Sequence, residues 1–131
     1  MAHHSTHYQV LSDLSTITLS STKTSDTREF TTTHDADLTA SELRPLLCFQ
    51  IDPSSNANLR LDVFIKDHSN VEAKIAGYSL LGGAPRWTME PINPALVTVD
   101  ATNTIVFRAS EITAGSVAIQ NIVVFFQRYI S

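Results

Sequence analysis

The run that most constrains how this chain can fold is its C-terminal stretch, Gly115-Ser-Val-Ala-Ile-Gln-Asn-Ile-Val-Val-Phe-Phe-Gln-Arg-Tyr-Ile-Ser131. It is rich in β-branched and aromatic residues, opened by a glycine and closed by polar residues. That composition suits a pleated, mostly buried strand better than a helix. Val117 and Ile119 share one parity, whereas Ile122, Val124 and Phe126 share the other. The phase change at Gln120-Asn121 is what a β-bulge produces, and a bulge bends a strand. The run therefore reads as a long central strand on which others pair.

Upstream segments supply those partners. Ile17 and Leu19 alternate with threonines and serine, the period of a half-buried strand. Residues 21–33 are polar and Thr-rich around Phe30, and read as a long loop or an exposed edge strand. Leu46 to Asp52 is a second strongly apolar strand, ended by Asp52-Pro-Ser-Ser-Asn56. Leu59, Leu61, Val63 and Ile65 then alternate with Arg60, Asp62, Phe64 and Lys66, so the two runs read as a hairpin. Residues 71–81 supply a further strand or two. Leu96 to Asp100 and Thr104 to Arg108 read as strands joined by Ala-Thr-Asn. The one helical fragment is a short turn near residues 38–43, which Pro45 forbids from continuing. About eight short strands with regularly spaced turns indicate an all-β protein, an antiparallel β-sandwich of jelly-roll type. The 131 residues suffice for one domain over 8–131, with residues 1–7 as a flexible N-terminus.

Charge and cysteine content narrow the function classes. A net charge of −4 with nine scattered Lys and Arg argues against nucleic acid or an anionic membrane as partner. No run approaches the ~18 consecutive apolar residues of a membrane helix, and the N-terminus lacks the pattern of a secretory signal, so a soluble chain is expected. Cys48 is the sole cysteine, which precludes an intramolecular disulfide, and it reads as a small buried hydrophobe rather than a nucleophile. His3, His4 and His7 are metal-ligand types on a terminus that would first have to be ordered. Asp35 and Asp37 suit helix capping better than a calcium loop. No cofactor and no metal is expected. No Gly-x-Ser-x-Gly elbow frames a serine, no phosphate loop follows Gly82-Gly83, and no acid pair stands out, so a hydrolase is the weakest reading.

The strongest binding candidate is the connection from Tyr78 to Asn93, which holds the only tryptophan together with two glycines and two prolines, a third proline following at Pro94. A ring in a rigid loop can stack on a sugar while Arg86, Glu90 and Asn93 bind hydroxyls at its rim. Trp87, Arg86, Tyr78, Glu90 and Asn93 are therefore the candidate ligand-binding residues. The competing reading makes Trp87 and Met89 a plug at one end of the core.

Leu46-Leu-Cys-Phe-Gln-Ile, Leu59-Arg-Leu-Asp-Val-Phe-Ile and Val117-Ala-Ile-Gln-Asn-Ile-Val-Val-Phe-Phe-Gln together give the chain a pattern. It resembles the jelly-roll sandwiches of carbohydrate-binding modules and galactose-binding-like domains. The resemblance covers most of residues 46–128 as patterning, and no binding residue is carried over from it. It implies a jelly-roll fold and a non-catalytic, lectin-like module that binds carbohydrate. The alternative is an assembly subunit, a homo-oligomer built through apolar strand faces at Phe64 and Phe125.

Overall fold

In the computed structural model the described residues are 3–11, 15–32, 36–37 and 44–130. They form ten strands: β1 (His3–Val10), β2 (Ile17–Leu19), β3 (Ser25–Thr31), β4 (Ala36–Asp37), β5 (Leu46–Pro53), β6 (Asn58–Lys66), β7 (Glu72–Leu81), β8 (Arg86–Pro91), β9 (Thr102–Ala114) and β10 (Val117–Ile130). A single 3-10 turn, Pro94–Leu96, is the only helical element among the described residues. The strands make two antiparallel sheets packed face to face, a jelly-roll β-sandwich. The first is ordered β1-β10-β5-β8, with β2 and β4 also pairing β10; the second is ordered β3-β9-β6-β7.

The C-terminal run is the organising strand. Val117 faces Leu19 of β2 on one edge of β10 and Pro53 of β5 on the other, while Val123 lies between Val10 of β1 and Cys48 of β5. The register slips between Gln120 and Val123, where Asn121 adopts φ +54°. Two residues of β10 there oppose one of β5, so Val117, Ile119, Ile122, Val124 and Phe126 all reach the core despite the change of parity. Facing them, Leu59, Leu61, Val63 and Ile65 of β6 and Ile105 and Phe107 of β9 close the interior. Phe49 and Phe107 meet edge to face at 5.4 Å across the two sheets.

Several segments differ from the reading of the sequence. The runs from Leu46 and Leu59 do not pair as a hairpin: β5 lies between β10 and β8 in one sheet and β6 between β9 and β7 in the other, so the turn after Asp52 carries the chain across the sandwich. His3 to His7, expected to be flexible, belong to β1 and pair with β10 backbone to backbone. Residues 96–100 are not a strand: Asn93 caps the 3-10 turn through Oδ1, which accepts from Ala95 N at 3.0 Å, and buried Asn103 pins the following loop. Its Oδ1 accepts from Thr98 N at 2.9 Å, and its Nδ2 donates to Thr98 O at 3.0 Å. Thr104 to Arg108 instead lies within the 13-residue strand β9, which also takes up residues 110–114. Residues 86–91, expected to be irregular, form β8. Of the two readings of the Thr-rich segment, the edge strand is the one found: β3 lies at the edge of its sheet with Phe30 buried. The helical turn expected near 38–43, like Asp35, lies outside the described residues.

Candidate functional site

Strand β8 decides where the candidate residues point. Its cross-strand partners are Arg86↔Ile51, Trp87↔Gln50, Thr88↔Phe49, Met89↔Cys48, Glu90↔Leu47 and Pro91↔Leu46. Ile51, Phe49 and Leu47 are core residues, so alternation turns Arg86, Thr88 and Glu90 toward the interior side and Trp87 and Met89 toward solvent. The five candidates thus divide. Trp87 stands alone on the outer face, Arg86, Tyr78 and Glu90 meet on the interior side, and Asn93 is engaged in its cap. Trp87 and Met89 are each 65% exposed, so neither plugs the core.

Registers extend this outer face across the sheet. One row runs Tyr8, Phe125, Leu46, Pro91; the next runs Val10, Val123, Cys48, Met89; the third runs Gln120, Gln50, Trp87. Of the seven exposed large hydrophobic residues in the described chain, Tyr8, Val10, Trp87 and Met89 lie here, which makes the face a patch rather than a scatter. Tyr8 and Phe125 rings sit 6.0 Å apart. Next to Trp87 the surface turns polar: Asn121 Nδ2, projected by the bulge, donates to Gln50 Oε1 at 3.0 Å, with Gln120 beside them. None of the three rows carries a charged side chain; Asp52 lies beyond Gln50, opposite Ala118. Four strands span about 14 Å, and the rows from Trp87 to Pro91 span about 13 Å along the strands. Cys48 sits half-buried within this platform rather than in the core, and burial pushes its thiol pKa up, away from nucleophilic thiolate.

The interior candidates close the seam where β7, an edge of one sheet, meets β8, an edge of the other. Tyr78 Oη donates to Glu90 Oε1 at 2.5 Å, and its ring stands edge-on to Phe49 at 6.1 Å. Burial, then the bond to Glu90, pushes the Tyr78 phenol above its ordinary value. The Arg86 guanidinium lies over the same ring, 5.5 Å from its centre.

Phe64 and Phe125 occupy opposite outer faces of the sandwich. Phe64 pairs with Val106 and lies under the Arg108 guanidinium, 4.7 Å above its ring. Arg108 is itself held by Glu72 at 2.8 Å. Sequence reasoning missed Tyr8, Met89, Gln50, Gln120 and Asn121 as members of the platform. Only the pairing of four strands brings them together, although the bulge that exposes Asn121 was legible.

No protein-family model and no curated protein matches the sequence. Solved structures match in fold. A CBM4 structure aligns with TM-score 0.53 at 12% identity, over 78% of this chain and 60% of that one, so the chain spans less than two thirds of its length. A family 29 carbohydrate-binding module from Piromyces equi aligns at 0.52 and 9% identity, over 95% of this chain and 91% of that one. A xylan-binding module, CBM15, aligns at 0.51 and 9% identity, over 85% and 95% respectively. At such identities the likeness is one of fold.

Proposed function

We propose that this chain is a non-catalytic carbohydrate-binding module whose ligand lies on the outer face of the β1-β10-β5-β8 sheet. The observation that carries the reading is Trp87: a large indole, 65% exposed, fixed on a strand beside a cluster of uncharged amides. The negative π face of an indole suits the C–H face of a pyranose, and amides can both donate to and accept from sugar hydroxyls. A strand-borne platform needs little ordering on binding. The fold likeness to carbohydrate-binding modules supports the same class.

The assembly alternative, with apolar strand faces at Phe64 and Phe125 buried against other copies, finds less support, because Phe64 lies under the Arg108 guanidinium and the two rings occupy opposite faces of the sandwich. The platform, roughly 14 by 13 Å between backbone positions, suits a short stretch of sugar rings.

A glycan-array screen of the labelled protein, run beside Trp87→Ala, tests the proposal. The wild type is expected to bind a related set of glycans saturably, and the variant to lose that binding. The change in stability should stay within about 0.5 kcal/mol, as for an exposed side chain, rather than the ~3–5 kcal/mol of a core truncation. Silence of the wild type across the array, together with a dimer in sedimentation that Trp87→Ala dissociates, would instead favour assembly.

A further inference from the structure

We propose a second ligand site, separate from the Trp87 face: the seam pocket at Arg86 binds a compact carboxylate. The pocket encloses about 270 Å³ between the end of β7, the β7–β8 connection and the end of β5, lined by Pro53, Ser79, Leu81, Gly82, Pro85 and Arg86 among others. That volume lies just under the ~300–1,000 Å³ of small-molecule clefts, so it admits a single ring or a short chain.

Its chemistry is unlike that of the platform. Among the described residues, Arg86 is the only cation lining it. Arg28, Arg60 and Arg108 each lie within ion-pair distance of a carboxylate, whereas Arg86 meets the Tyr78 ring and, among the described residues, no acid. The ring fixes the guanidinium plane without consuming its N–H donors, which leaves a fork shaped for bidentate carboxylate recognition. The nearest acid on the same side of β8 is Glu90, whose carboxylate sits at the hydroxyl end of the same Tyr78 ring and is already accepting from it. Pro53, Leu80 and Pro85 are among its lining residues and offer apolar surface for the body of the ligand.

The rim is held in place. Gly82 turns the chain at φ +86°, a conformation that side chains rarely adopt. A Cβ at Gly83 would stand 2.9 Å from Ser55 Cα, so the connection is pressed against the β5–β6 turn. A carboxylate of this size can be a free organic acid or a uronic-acid residue of a glycan.

Titration of the isotope-labelled full chain, followed by NMR at constant ionic strength, tests the proposal. The probes are propionate, glucuronate and an oligoglucuronate, with glucose as the neutral control. Saturable shifts are expected at Gly82, Gly83 and the Arg86 side chain with a carboxylate probe and not with glucose. Arg86→Gln should weaken them at least tenfold, Arg86→Lys less, and Trp87→Ala not at all. Saturation by propionate marks a free-acid site, and saturation by the uronates alone marks a glycan branch. Absence of saturable shifts with all three acids, equal shifts with glucose, or undiminished shifts in Arg86→Gln would overturn the site. Because Trp87→Ala spares it, its failure and that of the glycan face are separable.

Discussion

At the residue scale, Tyr78 is the clearest case of a side chain whose neighbours set its chemistry. Its hydroxyl bridges the two sheets to Glu90, and both burial and that bond disfavour the phenolate. A folded-state pKa above the unfolded value contributes stability that is fully present below about pH 10 and lost as pH rises beyond it. Tyr78→Phe removes that dependence along with the hydrogen bond. Wild type is therefore expected to exceed the variant by about 1–2 kcal/mol at neutral pH, with the difference shrinking between pH 10 and 12. Denaturant melts at several pH values check this, and a difference that stays constant or grows with pH would contradict it. Tyr78, Arg86 and Glu90 were legible as a group in the sequence, but their partner in the argument, Trp87, was not separable from them there. One residue of spacing puts it on the opposite side of a strand.

At the element scale, β10 and β8 mark the two ends of what sequence can convey. Strand β10, its central place and its bulge follow from apolar parity alone, because both halves bury one face in the same core. Strand β8 escapes the same reasoning because its pattern has the opposite sign: polar Arg86, Thr88 and Glu90 turn toward the seam, while Trp87 and Met89 turn to solvent. Pro85 and Pro91 then bracket it like a loop. Strand β1 escapes for another reason, since its pairing to β10 is made by backbone groups and leaves little trace in His, Ser and Thr side chains. The bulge offers the test at this scale. Asn121 holds φ +54°, which Asn and Gly adopt readily and β-branched residues do not. Asn121→Gly should leave stability within about 0.5 kcal/mol, and Asn121→Val should lower it by about 1–2 kcal/mol. Equal stability of the two, measured by chemical denaturation, would show that the bulge does not depend on that conformation.

At the scale of the whole molecule, the sandwich presents three unlike surfaces. One outer face is an uncharged platform of Trp87, Met89, Tyr8 and amides. The other is overlaid by ion pairs, with Asp62 held by Arg60 and Lys74 at 3.1 Å each and Phe64 covered by Arg108. Between the sheets, the β7–β8 seam opens at Arg86. The sandwich was legible because a buried core imposes period-two patterning on every strand that meets it. Which outer face carries the platform was not, because that depends on the lateral order of strands distant in sequence. The account rests centrally on Trp87 as the ligand contact, and the chain offers a direct probe, since Trp87 is its only tryptophan. The measurement is the intrinsic fluorescence of the full chain, titrated in turn with soluble xylan, β-glucan and mannan, with retention on the same polysaccharides followed in parallel. The account predicts water-like emission from the free protein and a saturable blue shift with a polysaccharide that retains it. Retention that leaves the emission unchanged, or emission already typical of a buried indole in the free protein, would contradict it.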